Sequence, residues 1–150
     1  MAQVVSRTAR VIAAQPDDVY EALADYRGIR ARVLPPQFDA YEVRRGGEGH
    51  GTVVHWRLRA TRRRVRDCLV DVVEPGEGDA LVETDHNSSM VTTWTVRPGP
   101  REGTAEVRAH TVWQGAGGLR GVVERLFAPR GLARVHGDLL ARLAAELEGR

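Results

Sequence analysis

The feature that most constrains this chain is an interrupted amphipathic pattern in its C-terminal third, residues 117–147. Apolar residues recur there at helical spacing in two sets, which lie about a third of a turn apart around the helix axis. A continuous helix over this stretch would span about 48 Å, whereas a compact domain of this length is only about 40 Å across. Pro129 stands between the sets and is favoured in the first turn of a helix, so the pattern predicts a kink or a second helix beginning at Pro129. The two sets are Leu119, Val122, Val123 and Leu126, then Leu132, His136, Leu139, Leu143 and Leu147.

Composition restricts the class of protein. With 150 residues, of which 42% are hydrophobic and 28% charged, residues 1–150 are expected to form one domain that buries a substantial core. All 22 basic residues are arginine, which indicates a GC-rich, bacterial genome. A lone Cys68 leaves no internal disulfide, and the N-terminus lacks an apolar signal core. With no apolar run of about 20 residues for a membrane span, the sequence predicts a cytoplasmic protein.

Before the C-terminal pattern, the sequence predicts mostly short strands. Residues 3–13 are rich in β-branched types and predict a first strand, and Pro16 followed by two aspartates is typical of a helix start. A second short helix is expected over 29–34, ended by Pro35. This order predicts an α+β fold with an antiparallel sheet. Six further strands, separated by polar turns, are expected at about 38–45, 51–60, 64–74, 79–84, 90–97 and 104–113.

Two hairpins can be placed in register because a slip of one residue exchanges the faces of a strand. A three-residue tip at 61–63 sets Trp56 opposite Cys68 and avoids pairs of like charge across the hairpin. In the next hairpin the pattern favours Trp94 opposite Val107. The inner face of the sheet is then expected to carry Val54, Trp56, Leu58, Cys68, Val70, Thr92, Trp94, Val107, Ala109, Thr111 and Trp113.

Large rings beside small residues on one concave face leave two alternatives. In the first, Leu132, Val135 and Leu139 of the last helix fill the gaps and give a solid core at ordinary packing density. In the second, the gaps add up to an apolar pocket with a few polar groups, as small-molecule sites usually are. The residues alone leave both open.

The order of elements and several local motifs resemble one known group of proteins. The motifs are residues 6–8 leading into 14–20, the pairs Gly51-Thr52 and Gly103-Thr104 that begin strands, and the amphipathic C-terminal helix. Together they resemble the START-like helix-grip superfamily, and within it the polyketide cyclase/dehydratase and lipid-transport group. The resemblance implies a seven-stranded antiparallel sheet wrapped around the C-terminal helix, with an apolar ligand between them and no universal catalytic residues. The arginine-rich tip at 61–64 departs from the glycine-containing turn that the resemblance implies.

Three polar residues are candidates for chemistry. His136 lies on the buried stripe of the last helix. There it could act as a general acid or base, or it could be a core residue with a satisfied hydrogen bond. Arg66 turns inward near Leu58, where it could pair with a ligand carboxylate; the favoured interpretation is that its charged end extends to solvent. Tyr41 and Thr111 could orient a ligand oxygen.

Six arginines lie within ten residues of the central hairpin. They form either an anion site or a solvated outer face, and the second is favoured, with Asp67 and Asp71 as cross-strand partners. Because the net charge is only +2, the sequence argues against a nucleic-acid partner. The cluster comprises Arg57, Arg59, Arg62, Arg63, Arg64 and Arg66.

The remaining histidines lack the spacing of a metal site. They are His50, His55, His86 and His110. No metal and no cofactor is therefore expected.

The sequence predicts a protein that binds a small hydrophobic or amphipathic molecule, such as a lipid, polyketide or isoprenoid-like compound, between the sheet and the last helix. The alternative is a polyketide aromatase/cyclase or dehydratase that uses His136, Arg66 and Tyr41. The residues expected to contact the ligand are Trp56, Leu58, Cys68, Thr92, Trp94, Val107, Ala109, Thr111, Trp113, Leu132, Val135 and Leu139.

Overall fold

The computed structural model describes residues 2–59, 65–76, 78–115 and 129–149. Over these residues, seven strands form an antiparallel sheet in the order β1-β7-β6-β5-β4-β3-β2, and three helices accompany it. The strands are β1 (Ala2–Ile12), β2 (Phe38–Arg45), β3 (Val53–Arg59), β4 (Val65–Val73), β5 (Ala80–Asp85), β6 (Val91–Pro98) and β7 (Ala105–Gly115). The helices are α1 (Pro16–Ala24), α2 (Ile29–Arg32) and α3 (Pro129–Glu148). The α+β helix-grip architecture predicted from the sequence is confirmed.

Over the described residues, helix α3 runs from Pro129 to Glu148. Two hydrogen bonds hold α3 to β1 and to the residue after it: Ser6 Oγ donates to the Pro129 carbonyl at 2.9 Å, and the Ala13 amide donates to the Glu148 carboxylate at 2.9 Å. Residues 117–128, the first half of the predicted pattern, lie outside the described residues. The buried stripe of α3 comprises Leu132, Val135, His136, Leu139, Leu140, Leu143, Ala144 and Leu147.

None of the described helices is long and apolar enough to cross a membrane. The part of the chain that the structure describes also contains no group of three or more His, Cys, Asp or Glu side chains placed to hold a metal ion.

The predicted register of the β3–β4 hairpin is confirmed. Trp56 lies opposite Cys68, and Arg57 lies opposite Asp67. Its tip, 61–63, lies outside the described residues. Since the faces follow from the register, the inward positions of β3 and β4 are buried as expected.

The predicted register of the β6–β7 hairpin is wrong by two residues. Trp94 lies opposite Ala109 rather than Val107, because the chain reverses one residue later than expected, in loop 99–104. This loop is closed by a backbone hydrogen bond of 2.8 Å between the Gly99 amide and the Thr104 carbonyl. A shift of two residues keeps every side chain on its face, so the predicted inner face is still the buried one.

The arginines of β3 have a different carboxylate partner from the predicted ones. Arg57 Nε and Arg59 Nε each donate to one oxygen of Asp39 on β2, at 2.9 and 2.7 Å. Hydrogen bonds from Arg59 and Arg57 lower the pKa of Asp39. The reason is the position of Asp39 directly opposite Arg57 on the neighbouring strand, where one carboxylate can reach both side chains.

The predicted partners of these arginines, Asp67 and Asp71, bind histidines instead. His55 Nε2 lies 2.7 Å from Asp67, and His86 Nε2 lies 2.5 Å from Asp71. Arg57 and Arg59 therefore belong to a charge-paired outer face. Arg62, Arg63 and Arg64 lie outside the described residues.

Candidate functional site

A small cavity lies between the concave face of the sheet and α3. Its volume is about 30 Å³, roughly the space of one water molecule. Small-molecule sites usually measure about 300–1,000 Å³, so the side chains nearly fill this one. The apolar lining consists of Leu34, Phe38, Trp56, Leu58, Val70, Met90, Trp94, Leu132 and Leu139, and the polar lining of Arg30, Cys68, Glu83, Asp85, Thr92 and His136.

Two carboxylates of β5 face this cavity. Successive residues of a strand point to opposite faces, so the alternation that turns Leu81 inward turns Glu83 and Asp85 inward as well. Both carboxylates are buried. Because buried charges are costly unless they are paired and hydrogen-bonded, each must be neutralised within the protein.

Glu83 is the centre of a buried polar group that we call the Glu83 cluster, formed by Tyr26, Arg30, Glu83 and Trp94. One carboxylate oxygen accepts from Tyr26 Oη at 2.6 Å and from Arg30 Nη2 at 2.9 Å. The other oxygen accepts from Trp94 Nε1 at 2.8 Å. Arg30 is 3% exposed and Glu83 5%, so this is an ion pair shielded from water.

Arg30 reaches the cluster from α2. Asp25 fixes the start of that short helix, because its carboxylate accepts from the Gly28 and Ile29 amides at 3.0 Å each. Arg30 Nη1 donates to the Leu23 carbonyl at 3.0 Å, and the guanidinium lies over the Tyr26 and Trp94 rings.

Arg30 stays charged in this buried position. Burial by itself would lower the pKa of Arg30, but the adjacent Glu83 carboxylate outweighs burial and raises it overall. Burial and the Glu83 charge likewise raise the pKa of Tyr26, so that its hydroxyl remains a donor to the carboxylate.

Asp85 is neutralised on the other side of the cavity. One oxygen accepts from the Leu69 and Asn87 amides at 3.1 Å each, and the other accepts from Ser88 Oγ at 2.7 Å. Arg66 Nε lies 3.9 Å from Asp85. The favoured interpretation of Arg66 was wrong: its side chain is 4% exposed and turns to Asp85 rather than to solvent.

His136 lines the cavity from α3. Its ring meets the Trp94 indole edge-on, with 5.1 Å between centroids, and it forms no hydrogen bond among the described residues. Burial lowers the pKa of His136 to about 4, where the Glu83 charge raises it in part and the Arg30 charge lowers it further. The imidazole is therefore neutral at pH 7 and free to accept a hydrogen bond within the cavity.

Tyr41 lies behind the cavity wall. Its hydroxyl donates to the Tyr26 carbonyl at 2.5 Å, and its ring stacks on Trp56. Cys68 is part of the lining, but burial raises the pKa of its thiol, which keeps it protonated.

The predicted ligand-contacting residues divide into two groups. The residues that line the cavity are Trp56, Leu58, Cys68, Thr92, Trp94, Leu132 and Leu139. The others are buried in the surrounding core and are not among the described residues of the lining: Val107, Ala109, Thr111, Trp113 and Val135. Residues of the lining that the sequence reasoning missed are Arg30, Leu34, Phe38, Glu83, Asp85 and Met90.

The hydroxyl of Thr92, in the cavity lining, and that of Thr111, in the core beside it, depend on each other. Thr92 Oγ1 and Thr111 Oγ1 lie 2.8 Å apart, and both residues are buried. Thr92→Val should lower the free energy of unfolding by about 1–3 kcal/mol, because it leaves the Thr111 hydroxyl buried without this partner. Urea denaturation measures the loss. The double variant Thr92→Val, Thr111→Val should lose less than the sum of the two single variants, and a strictly additive result would contradict the dependence.

Comparison with known proteins agrees with this architecture. The sequence profile of the family described as polyketide cyclase/dehydrase and lipid transport matches residues 3–148. The chain belongs to this family. The KanY protein, which has an NMR solution structure, is 39% identical, with a TM-score of 0.86 over 99% of each chain. The resemblance inferred from the sequence is thus confirmed.

More distant structures share the fold. Major latex-like protein 151 from Panax ginseng is 12% identical, with a TM-score of 0.74 over 97% of each chain. A point mutant of norcoclaurine synthase from Thalictrum is 16% identical, with a TM-score of 0.67 over 97% of this chain and 96% of its own. No curated protein sequence matches the chain. At such identities the likeness extends to the fold and not to a ligand or a reaction.

Proposed function

We propose that this protein binds a small, largely apolar molecule, such as a lipid, polyketide or isoprenoid-like compound, between the concave face of the sheet and α3. The observation that carries the proposal is the cavity between Trp56, Trp94 and Leu139, which combines an apolar lining with convergent polar groups. That combination is typical of small-molecule sites. Membership of a family described by cyclisation, dehydration and lipid transport supports it.

A bound molecule must displace side chains, since the cavity holds only about 30 Å³. Residues 32–38, from the end of α2 to the start of β2, can make room, because Leu34 and Phe38 line the cavity while being only partly buried. Exposed contacts tie this segment to α3: Arg32 binds Glu146 at 2.8 Å. Exposed ion pairs contribute about 0–1 kcal/mol, so separating the segment from α3 costs little compared with unfolding the sheet.

The polar groups in the cavity wall support a binding role in a second way. A buried ion pair adds little stability relative to an apolar core of the same shape, because both charges lose their hydration. Arg30 and Glu83 are such a pair, and they border the cavity. Their presence there is better explained by selecting and orienting a ligand than by holding the fold together.

The second candidate function is a cyclase or dehydratase, and His136 is the observation that favours it. Its imidazole is neutral, lines the cavity and forms no hydrogen bond among the described residues, so it can take a proton from a bound molecule. Glu83 is a weaker candidate for a base, because three donors already occupy its carboxylate. Turnover of a poly-β-ketone that disappears in His136→Leu would favour the enzyme over the carrier.

The binding proposal predicts that an uncharged apolar dye, N-phenyl-1-naphthylamine, becomes fluorescent with this protein. Trp56→Phe should weaken its binding about fivefold, because the smaller ring removes apolar area from the cavity wall. The matched control is Trp113→Phe, the same change at a buried ring that is not among the described lining residues; binding should stay within about twofold. Fluorescence titration measures both. Equal losses in the two variants, or no binding to the unmodified protein, would contradict the proposal.

A further inference from the structure

We propose that the cavity selects an uncharged molecule carrying a hydroxyl group, a phenol or an alcohol, and that this hydroxyl donates a hydrogen bond to His136. The inference rests on the proposed function, because it names the chemical class of the molecule held between the sheet and α3. It makes His136 a specificity-determining residue in either the carrier or the enzyme.

The charges around the cavity are already balanced. Arg30 pairs with Glu83 at 2.9 Å, and Arg66 lies 3.9 Å from Asp85; all four side chains are buried. These two pairs sum to zero. A ligand carboxylate would enter beside two carboxylates whose counter-charges are already engaged, and it would lose its hydration without compensation.

A cationic ligand is disfavoured for the related reason that each carboxylate is already neutralised. Glu83 accepts three hydrogen bonds, one of them from Arg30, and Asp85 accepts three more beside Arg66. An ammonium group would also have to leave water to reach them. An uncharged ligand avoids both costs.

The unused hydrogen-bonding capacity of the cavity favours a ligand group that both donates and accepts a hydrogen bond. His136 is 7% exposed and forms no hydrogen bond among the described residues, so a neutral imidazole offers an acceptor nitrogen. Trp94 Nε1 and Tyr26 Oη both donate to Glu83, whereas Arg30 Nε is buried without a hydrogen-bond partner among the described residues, so the oxygen of the same ligand group could accept from it. A buried group without a partner makes a site discriminate strongly for the ligand that supplies one.

A hydroxyl group meets these conditions. It donates to the acceptor nitrogen of His136, carries no charge and can sit beside the Trp94 ring that packs against the imidazole. An ether of the same shape can accept a hydrogen bond but cannot donate one, and so cannot satisfy that nitrogen.

Three probes that share one ring system test the inference on the full chain at pH 7: 2-naphthol, 2-methoxynaphthalene and 2-naphthoate. Isothermal titration calorimetry should show 2-naphthol binding about tenfold more tightly than the methyl ether, the expected value of one buried hydrogen bond. The anion, 2-naphthoate, should bind at least about 100-fold more weakly than 2-naphthol, because its charge is uncompensated.

Variants of His136 separate recognition from packing. His136→Leu should abolish the preference for 2-naphthol and leave binding of 2-methoxynaphthalene within about threefold. His136→Gln, which retains an acceptor, should restore part of the preference. The matched control is His110→Leu on the outer face of β7, which should keep the full preference.

The outcomes distinguish this inference from the proposed function. Equal binding of 2-naphthol and its methyl ether, tighter binding of 2-naphthoate, or an unchanged preference in His136→Leu would overturn the hydroxyl-specific site while the apolar cavity stands. If neither 2-naphthol nor its methyl ether binds, the proposed binding function is overturned together with the inference.

Discussion

Glu83→Gln is expected to lower the free energy of unfolding by about 3–5 kcal/mol, which is the usual cost of leaving one member of a buried ion pair without its partner. The substitution keeps the shape of the side chain but removes its charge. Arg30, 3% exposed and 2.9 Å from the carboxylate, would then be a buried cation without a counter-charge. The new amide group would also oppose one of the donors that now bind Glu83, from Tyr26 or Trp94. Urea denaturation at pH 7 measures the loss.

The matched control is Glu106→Gln, the same change in an exposed pair. Glu106 binds Arg108 at 2.7 Å, a distance as short as that of the buried pair, but Arg108 is 64% exposed. Since water screens such a pair, its loss should cost no more than about 1 kcal/mol. Similar losses of unfolding free energy in Glu83→Gln and Glu106→Gln would show that burial does not determine how much the Glu83 cluster contributes to stability. Adding Arg30→Met to Glu83→Gln should recover part of the stability, because it removes the stranded charge.

The elements of the fold follow from patterns that are local in the sequence. The helical spacing of the apolar residues predicts the buried stripe of α3, and the period of two in the strands predicts the inner face of the sheet. The register of the β3–β4 hairpin can also be predicted from the sequence, because a slip of one residue would place like charges opposite each other. The register of β6–β7 does not, since it depends on the conformation of loop 99–104, which alternation cannot reveal.

The polar side of the candidate site is only partly readable from the sequence. The alternation in β5 already turns Glu83 and Asp85 to the face of Leu81, and this signal could have revealed both inward carboxylates. The partners of these carboxylates could not be predicted, because charged residues are rarely buried and Arg30 lies 53 residues from Glu83 along the chain. Only the packing of α2 against the sheet brings the two together.

The size of the cavity could not be predicted either. The same list of rings and small residues is compatible with a solid core or with a pocket, and the difference depends on rotamers and helix position. In the structure Leu132, Leu139 and Phe38 close the space to about 30 Å³. The structure lies between the two alternatives. The core is nearly filled, but it borders a polar cluster that a solid core does not need.

Acidification should destabilise the protein through His136. Burial lowers the pKa of His136 to about 4 from an ordinary value of 6.5, so between these values the unfolded chain binds a proton that the folded chain does not. The unfolded state is then favoured as the pH falls. The stability lost through this residue should be about 2 kcal/mol by pH 5 and about 3 kcal/mol near pH 4, with none lost above pH 7.

The contribution is isolated by a difference between variants. The free energy of unfolding of the unmodified protein is compared with that of His136→Leu from pH 7.5 to pH 5. Carboxylates elsewhere titrate in both proteins, so their contribution cancels in the difference. His136→Leu should lose about 2 kcal/mol less over this range. Leu139→Ala, which weakens the same face of α3 without removing a titrating group, should lower stability at every pH and keep the slope of the unmodified protein. An unchanged slope in His136→Leu would mean that the imidazole accepts its proton in the folded protein, and that the cavity is more open to water than its lining indicates.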